Sequence, residues 1–464
     1  MKIRVDEKIH IEQPTPAIAK WCRDNLVLDN PDYYKKERMG KWTGGTPREI
    51  SLYEKVGDEL RLPFGCLQDI WRLCVRGVSW SVQISPIRHV NYQSRISLYP
   101  YQENAVTGAI KGKNGILVMP CGSGKTQCGL EIIARIGGRA LWLTHTQELL
   151  NQSKKRAESV LECPAGAFGT ITEGKVNIGT HITFATVQTL SKLDLSAYRD
   201  QWDVVIVDEC QHAAGSPTRV TQFYRVISQV SARFKIGLTA TPKRADGLEQ
   251  SMFALLGPKI HEVTREEVAH TTCPVKVSVI PTGWYPDCEC VLMGDGTINY
   301  SKVIDNMIHD EDRYSIVFGD ILSMCKGPTM ILANRVEYLE RICEDLGGCG
   351  KRAMCLSGKG QSKRAKEERK RALEMLNTGE LDFILATYAL AKEGLDVPNL
   401  RYVVFSTPER DETTVIQSVG RVGRKAEGKA FGTVLDFVDD FGMYRGWHKK
   451  RCRYYKKIDV EVGL

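Results

Sequence analysis

Gly122, Ser123, Gly124, Lys125 and Thr126 follow directly on an apolar run, Ile116 to Met119. Backbone N–H groups can wrap a polyphosphate only where no Cβ obstructs them, and glycines at 122 and 124 meet that condition. Lys125 adds a point charge for the β and γ phosphates, and the Thr126 hydroxyl is placed to ligate Mg²⁺. Further along, Asp208 and Glu209 close the apolar run "VVIV". Carboxylates at a strand end suit a metal–nucleotide site: Asp208 can hold Mg²⁺ through its water shell, and Glu209 can polarise an attacking water. A third group, Gln417, Arg421 and Arg424, lies in "QSVGRVGRK". The two arginines are three apart, hence on one face if helical, and guanidiniums make planar contacts to phosphate that strengthen as a transition state forms.

Such groups need elements to hold them. "GILVMP" reads as a buried strand and "QCGLEIIARI" as the helix whose positive end faces the phosphates. From about Ser94 strands alternate with helices, with "RALWLTH", "HITFATV", "WDVVIVDE" and "FKIGLTAT" as the further strands, which predicts a parallel sheet covered on both faces. "GPKIHEVTREEVAHTTCPVKVSVIPTGWYP" reads as a crossover. A second α/β pattern follows, with strands "TMILAN", "RAMCLSG", "DFILATY", "RYVVFST" and "GTVLDFV", and no second phosphate loop. One loop for two α/β halves predicts a cleft in which the second half completes a site begun by the first.

The first 93 residues read as a separate α+β module, with a helix in "PTPAIAKWCRDNLV", a polar loop "NPDYYKKERMGKWTGGTPREI", strands "EISLYEKVG" and "ELRLPFG", and a helix "CLQDIWRLCVRG". The loop mixes Tyr33, Tyr34, Lys35, Lys36, Arg38, Lys41 and Trp42, a combination that serves nucleic-acid surfaces and solvated loops alike.

In order and spacing these motifs resemble those of superfamily 2 helicases, from about Leu98 to Asp436. "LYPYQENAV" is similar to the adenine-reading Q motif, with Gln102 in the glutamine position. The phosphate loop is similar to motif I, "LWLTHTQELLNQ" to Ia, "ITFATVQTL" to Ib, "DECQ" to II and "LTATP" to III. In the second half "MILANRVEYLERI" resembles motif IV, "ILATYALAKEGLDVP" motif V and "QSVGRVGR" motif VI. The resemblance implies two tandem RecA-like domains (94–262 and 263–464) behind the 1–93 module, with ATP and Mg²⁺ as ligands. It implies that Gln211, Thr239 and Thr241 relay nucleotide state, that Gly394 and Asp396 sense it from the second half, and that Thr146, Gln147, Thr186, Gln188 and Thr387 touch the tracked strand. The wording "DECQ", "THTQELLNQ" and "LTATPKRADG" resembles the DNA-directed branch containing XPB, restriction motor subunits and the phage helicase UvsW, more than the DEAD-box group. That implies a motor on branched DNA, of phage type. A nucleic-acid clamp or defence-system sensor that hydrolyses ATP without separating strands, and an RNA helicase, stay open at this point.

With 464 residues, 42% hydrophobic and 26% charged, two or three soluble domains are expected. No apolar run approaches the ~20 residues that cross a bilayer, and "MKIRVDEKIHIEQ" lacks a signal-peptide core, so a cytoplasmic protein without a membrane partner is expected. The fifteen cysteines are scattered without C-x₂-C spacing and read as reduced thiols. The net charge of +8 permits a polyanion. Two stretches concentrate it: Lys351 to Arg371, and "GMYRGWHKKRCRYYKK", where Trp447, Tyr454 and Tyr455 are expected to dock and Lys449, Lys450, Arg451 and Arg453 to face outward towards DNA.

Overall fold

Apolar runs without alternation become strands covered on both faces, and the computed structural model shows this in two compact units, Met1–Glu267 and Val268–Leu464. It describes every residue except 75–77, 121, 173, 215–216, 243–247, 288–297, 357–362, 392–396, 459 and 464.

In the first unit an eight-stranded sheet runs Lys175–Asn177, Phe168–Thr172, Ile182–Thr186, Ala140–Thr144, Val204–Asp208, Phe234–Thr239, Asn114–Val118, Lys259–Glu262. Its strands are parallel except for the hairpin formed by the first two. The central strands Ala140–Thr144, Val204–Asp208 and Phe234–Thr239 are buried along their whole length. All five strands expected between residues 114 and 239 form. The hairpin and Lys259–Glu262, which pads the sheet edge, do so without a strong apolar signal.

The amino-terminal residues build a five-stranded sheet, Glu54–Val56, Glu59–Pro63, Lys8–Glu12, Lys2–Val5, Ser79–Val82. The two strands at the very start were not anticipated, although "KIRV" and "KIHIE" alternate polar and apolar residue types as half-buried strands do. The loop expected from Asn30 opens instead with the helix Pro31–Arg38: Asn30 caps it, accepting from the Asp32 N–H at 3.0 Å, and Pro31 fills the first turn. This module shares a core with the α/β domain. Ile3, Ile9, Leu60, Leu62 and Phe64 cluster with Val220, Leu248 and Ala254. A Cβ at Gly65 would meet the Ala254 carbonyl oxygen at 2.4 Å, so the two backbones touch there because the residue is glycine.

The second unit holds a seven-stranded, all-parallel sheet, ordered Ala353–Cys355, Phe383–Thr387, Thr329–Ala333, Tyr402–Phe405, Gly432–Val438, Val275–Pro281, Glu461–Gly463. Alternate residues feed opposite faces: Met330 and Leu332 join one hydrophobic cluster, Ile331 and Ala333 the other. Part of the expected crossover is therefore a strand, since Val275–Pro281 pairs along its whole length with Gly432–Val438. The basic carboxy-terminal stretch is the helix Gly442–Lys457. Tyr444 and Tyr455 are buried on it, as docking residues, and Trp447 lies under the Arg410 guanidinium, 5.1 Å from the ring centre. Arg451 corrects the outward set: it is 1% exposed and bound to Asp436, while Lys449, Lys450 and Arg453 are exposed. Among the described residues no helix is long and apolar enough to cross a membrane.

Candidate nucleotide and nucleic-acid sites

Parallel strands gather their functional loops at their carboxyl ends. In the first unit the strand Asn114–Val118 ends in the phosphate loop, its neighbour Phe234–Thr239 in motif III, and the next, Val204–Asp208, in the carboxylates. Gly122 and Gly124 have φ of +81° and +82°, and Gly124 hands the chain directly into the helix Lys125–Ile136. L-residues other than glycine avoid that left-handed conformation. It turns successive N–H groups towards one point, as an anion cradle requires.

The loop is braced from beneath. Tyr101 and Gln102 donate to the Ser123 carbonyl at 3.1 and 2.8 Å, and Ser123 Oγ donates to the Pro120 carbonyl at 2.7 Å. The other end of the Gln102 amide accepts from the Tyr99 N–H at 2.9 Å. Gln102 is 2% exposed, and each end of its amide is committed within the protein.

Lys125 Nζ stands 3.6 Å from Glu209 Oε1. Asp208 is buried, and its oxygens accept from the Glu209 N–H at 3.0 Å and Ser153 Oγ at 3.4 Å. Burial first, and the neighbouring Glu209 second, push the Asp208 carboxyl up to about 7, against the pull of Lys125. Such a group favours whatever brings positive charge, and a Mg²⁺ ion does. With the Thr126 hydroxyl at the helix start and the paired carboxylates, the donor set is all oxygen, which fits Mg²⁺.

Glu209 has φ +49°, a strained position for a residue with a side chain. A chain of bonds fixes it: Gln211 Nε2 donates to Glu209 Oε2 at 2.6 Å, Thr239 Oγ1 donates to Gln211 Oε1 at 2.6 Å, and the Thr241 N–H donates to Thr239 Oγ1 at 3.1 Å. Gln211, Thr239 and Thr241 thus form one continuous line to the Glu209 carboxylate.

Of the residues expected on the tracked strand, Thr146, Gln147, Thr186 and Gln188 sit at the ends of two adjacent strands, Thr144 pairing with Thr186 in register. Thr146 caps the helix Gln147–Val160, accepting from the Leu149 N–H at 3.2 Å. Gln147 bonds Thr172 and Asn151. Thr186 bonds Thr189 at 2.9 Å, and Gln188 Nε2 donates to the His145 carbonyl at 2.8 Å. Thr186 is 6% exposed, so its hydroxyl shapes the loop.

In the second unit Gln417 and Arg421 lie on the helix Glu412–Val422, which stops at Gly423. Arg424 falls beyond it, in an isolated bridge with Thr272, so the shared helical face expected for the two arginines does not form. Arg421 Nη2 donates to the Ala391 carbonyl at 2.5 Å, tying motif VI to the end of the helix Tyr388–Ala391. Thr387 caps that same helix through the Leu390 N–H at 3.3 Å. Gly394 and Asp396 lie outside the described residues.

Residues 95–244 match the family described as type III restriction enzyme, res subunit, and residues 315–426 the helicase conserved C-terminal domain. The DNA 3'-5' helicase XPB of Kineococcus radiotolerans is 25% identical over 75% of this chain and 59% of its own. The chain belongs to the helicases of superfamily 2. A helicase of Escherichia phage T5 is 25% identical over 73% of this chain and 69% of its own, and a mimivirus protein named as an RNA helicase is 26% identical over 81% and 70%. Among solved structures, S. cerevisiae Dbp5 bound to RNA and ADP BeF3 covers 79% of this helicase and 90% of itself, at 17% identity and TM-score 0.58. The DNA-bound restriction-modification enzyme LlaBIII covers 79% and 30%, at 16% and 0.56. These two carry the fold: paired RecA-like domains. The protein is accordingly a nucleic-acid-dependent ATPase on the branch that holds XPB and phage helicases.

Sequence reasoning missed several residues that hold this helicase's site. Tyr101 stood in the Q-motif stretch without a role of its own, and Ser153 carried no motif signal. His145 and His212 stood beside motif residues, yet only the fold stacks their rings, 3.6 Å apart between centroids.

Proposed function

We propose that the protein is an ATP-driven DNA motor that remodels branched DNA, such as forks or four-way junctions. The observation that carries the ATPase half is the convergence of Lys125, Asp208, Glu209 and the Gln211–Thr239–Thr241 line at the ends of three adjacent strands. The DNA half is supported by the motif wording and by relatives named as DNA 3'-5' helicases.

In this reading the amides around Gly122 and Gly124 and the positive end of the following helix hold the β and γ phosphates of ATP. Thr126 and Asp208 would hold Mg²⁺, which would supply positive charge for the phosphate oxygens. Lys125 turns from Glu209 to the phosphates, and Glu209, relieved of that cation, accepts a proton from the attacking water. Gln417, Arg421, Arg424 and, by resemblance, Gly394 and Asp396 supply contacts to the nucleotide from the second unit. Arg421 is held in place for this by Ala391. Thr146, Gln147, Thr186, Gln188 and Thr387 present their loops to the backbone of one strand, contacts that position it without reading sequence. Exposed Lys449 and Lys450 add contacts to duplex phosphate.

The test is ATP hydrolysis and strand displacement on single-stranded, duplex, forked and four-way-junction DNA and on RNA, with Lys125→Ala as control. Stimulation and unwinding are expected to be greatest on forks and junctions and absent in Lys125→Ala. Preference for RNA would favour the reading that the mimivirus relative's name suggests. Stimulation by DNA without displacement would make the protein a clamp.

A further inference from the structure

Two histidines face each other between the strand-contact loop and the carboxylates. His145 follows the strand Ala140–Thr144, next to Thr146; His212 lies in the short turn Cys210–Ala214 that follows Glu209. Their rings are 3.6 Å apart between centroids and 23° from parallel, and His145 is 7% exposed. Each is tied to one side of the machinery. The His145 carbonyl accepts from Gln188, so it moves with the loops assigned to the nucleic-acid strand. The His212 N–H donates to the Glu209 carbonyl at 3.0 Å, closing the turn that keeps Glu209 at φ +49°.

We infer that the His145–His212 stack couples the bound strand to ATP hydrolysis, by fixing how the strained Glu209 is held. This rests on the proposed function. Energetic coupling passes through packed side chains only where some element has two arrangements, and Glu209 is a fit candidate. A side-chain-bearing residue in the left-handed region costs about 1–3 kcal/mol and persists only while its surroundings hold it there. Among the described residues four contacts hold it: the Asp208 carboxylate on its N–H, Gln211 and Lys125 on its side chain, and the His212 N–H on its carbonyl. The fourth leads through the ring stack to His145, whose carbonyl Gln188 holds from the neighbouring strand end. A second tie runs parallel: the helix capped by Thr146 reaches Asp208 through Ser153. A strand drawing on Thr146 and Gln188 therefore acts on both carboxylates, through the helix on Asp208 and through the imidazole pair on Glu209. His145 and His212 are positioning residues; neither touches the reacting atoms.

The experiment measures ATP turnover with and without saturating single-stranded DNA in the full chain carrying His145→Ala, His212→Ala, both together, and His212→Phe. Thermal unfolding confirms that each variant is folded. Each alanine variant is expected to lose at least ten-fold in the ratio of stimulated to unstimulated turnover, with KM for ATP and Kd for DNA within two-fold of the parent. The double variant is expected to match the single ones, because either loss breaks the same link. His212→Phe, which keeps a flat ring against His145, is expected to recover most of the stimulation. The inference is overturned if the alanine variants keep the parental ratio, or if turnover falls equally with and without DNA. The parent is measured first: turnover indifferent to any nucleic acid would instead remove the proposed function on which the inference stands.

Discussion

Both units place buried carboxylates at or near the carboxyl ends of parallel strands, and they treat them in opposite ways. In the first, Asp208 sits beside Glu209, and burial with that neighbour pushes it up to about 7. In the second, Asp436 is gripped by Arg451 through two bonds of 3.0 and 2.7 Å and by Tyr455 at 2.8 Å. Burial pushes its carboxyl up, but Arg451 and His448 outweigh that and hold it below the ordinary carboxylate value. Asp439 is gripped likewise by Arg313, with both side chains fully buried. A carboxylate meant for a ligand is left under-neutralised; one meant for the fold is paired at once. The direction of the shift separates Asp208 from Asp436 where sequence, which shows only an acid in an apolar stretch, does not.

The strongest way to break this contrast is Glu209→Gln. Turnover should fall on the order of 10²–10⁴-fold while ATP still binds and the unfolding midpoint stays put; steady-state hydrolysis and nucleotide titration measure both. Normal turnover would end the assignment of Glu209. Arg451→Ala should do the converse in the second unit, destabilising it by about 3–5 kcal/mol through the unpaired Asp436. Denaturant unfolding reads that, and an unmoved midpoint would deny the structural role.

Lys235 sharpens the comparison from inside the first unit. It is a buried amine whose Nζ, among the described residues, donates to the Glu7 and Ile227 carbonyls above the Phe64 ring, and burial lowers it to about 7 against the pull of Glu7 and Asp6. Between about pH 7 and 10.5 the unfolded chain keeps a proton that the folded one has released, so this group makes stability rise with pH across that window. Melting temperatures of Lys235→Met between pH 7 and 9 should lose that rise. The smallest effect is expected at the surface of the second unit. Reversing charge at Lys449 and Lys450, which share a helix with the locked Arg451, should flatten the slope of log K for duplex DNA against log salt by about 1–2. An unchanged slope would return both lysines to a solvent-facing role.

The phosphate loop was legible because its chemistry is local: glycine at 122 and 124, then Lys125 and Thr126, is a demand the backbone makes within one turn. The central strands were legible because burial on both faces leaves an unbroken apolar run. Lys2–Val5 and Lys8–Glu12 alternate instead, and charged residues between their apolar ones masked the signal. Arg451 was misplaced because a run of cations reads as a solvated face, and only Asp436, arriving from a strand, pulls one of them inward. Gln102 was matched to a motif position, but whether its amide faces a base or the Ser123 carbonyl depends on how its helix packs under the loop.

Sequence alone thus determined which groups can bind a triphosphate and that two sheets of parallel strands would carry them. Those properties follow from residue type, short spacing and hydrophobic period. The tertiary structure decided which charges are neutralised by partners far along the chain, where Glu209 is strained, and that His145 and His212 meet. Contacts of that kind join segments tens of residues apart, and no local pattern encodes the meeting.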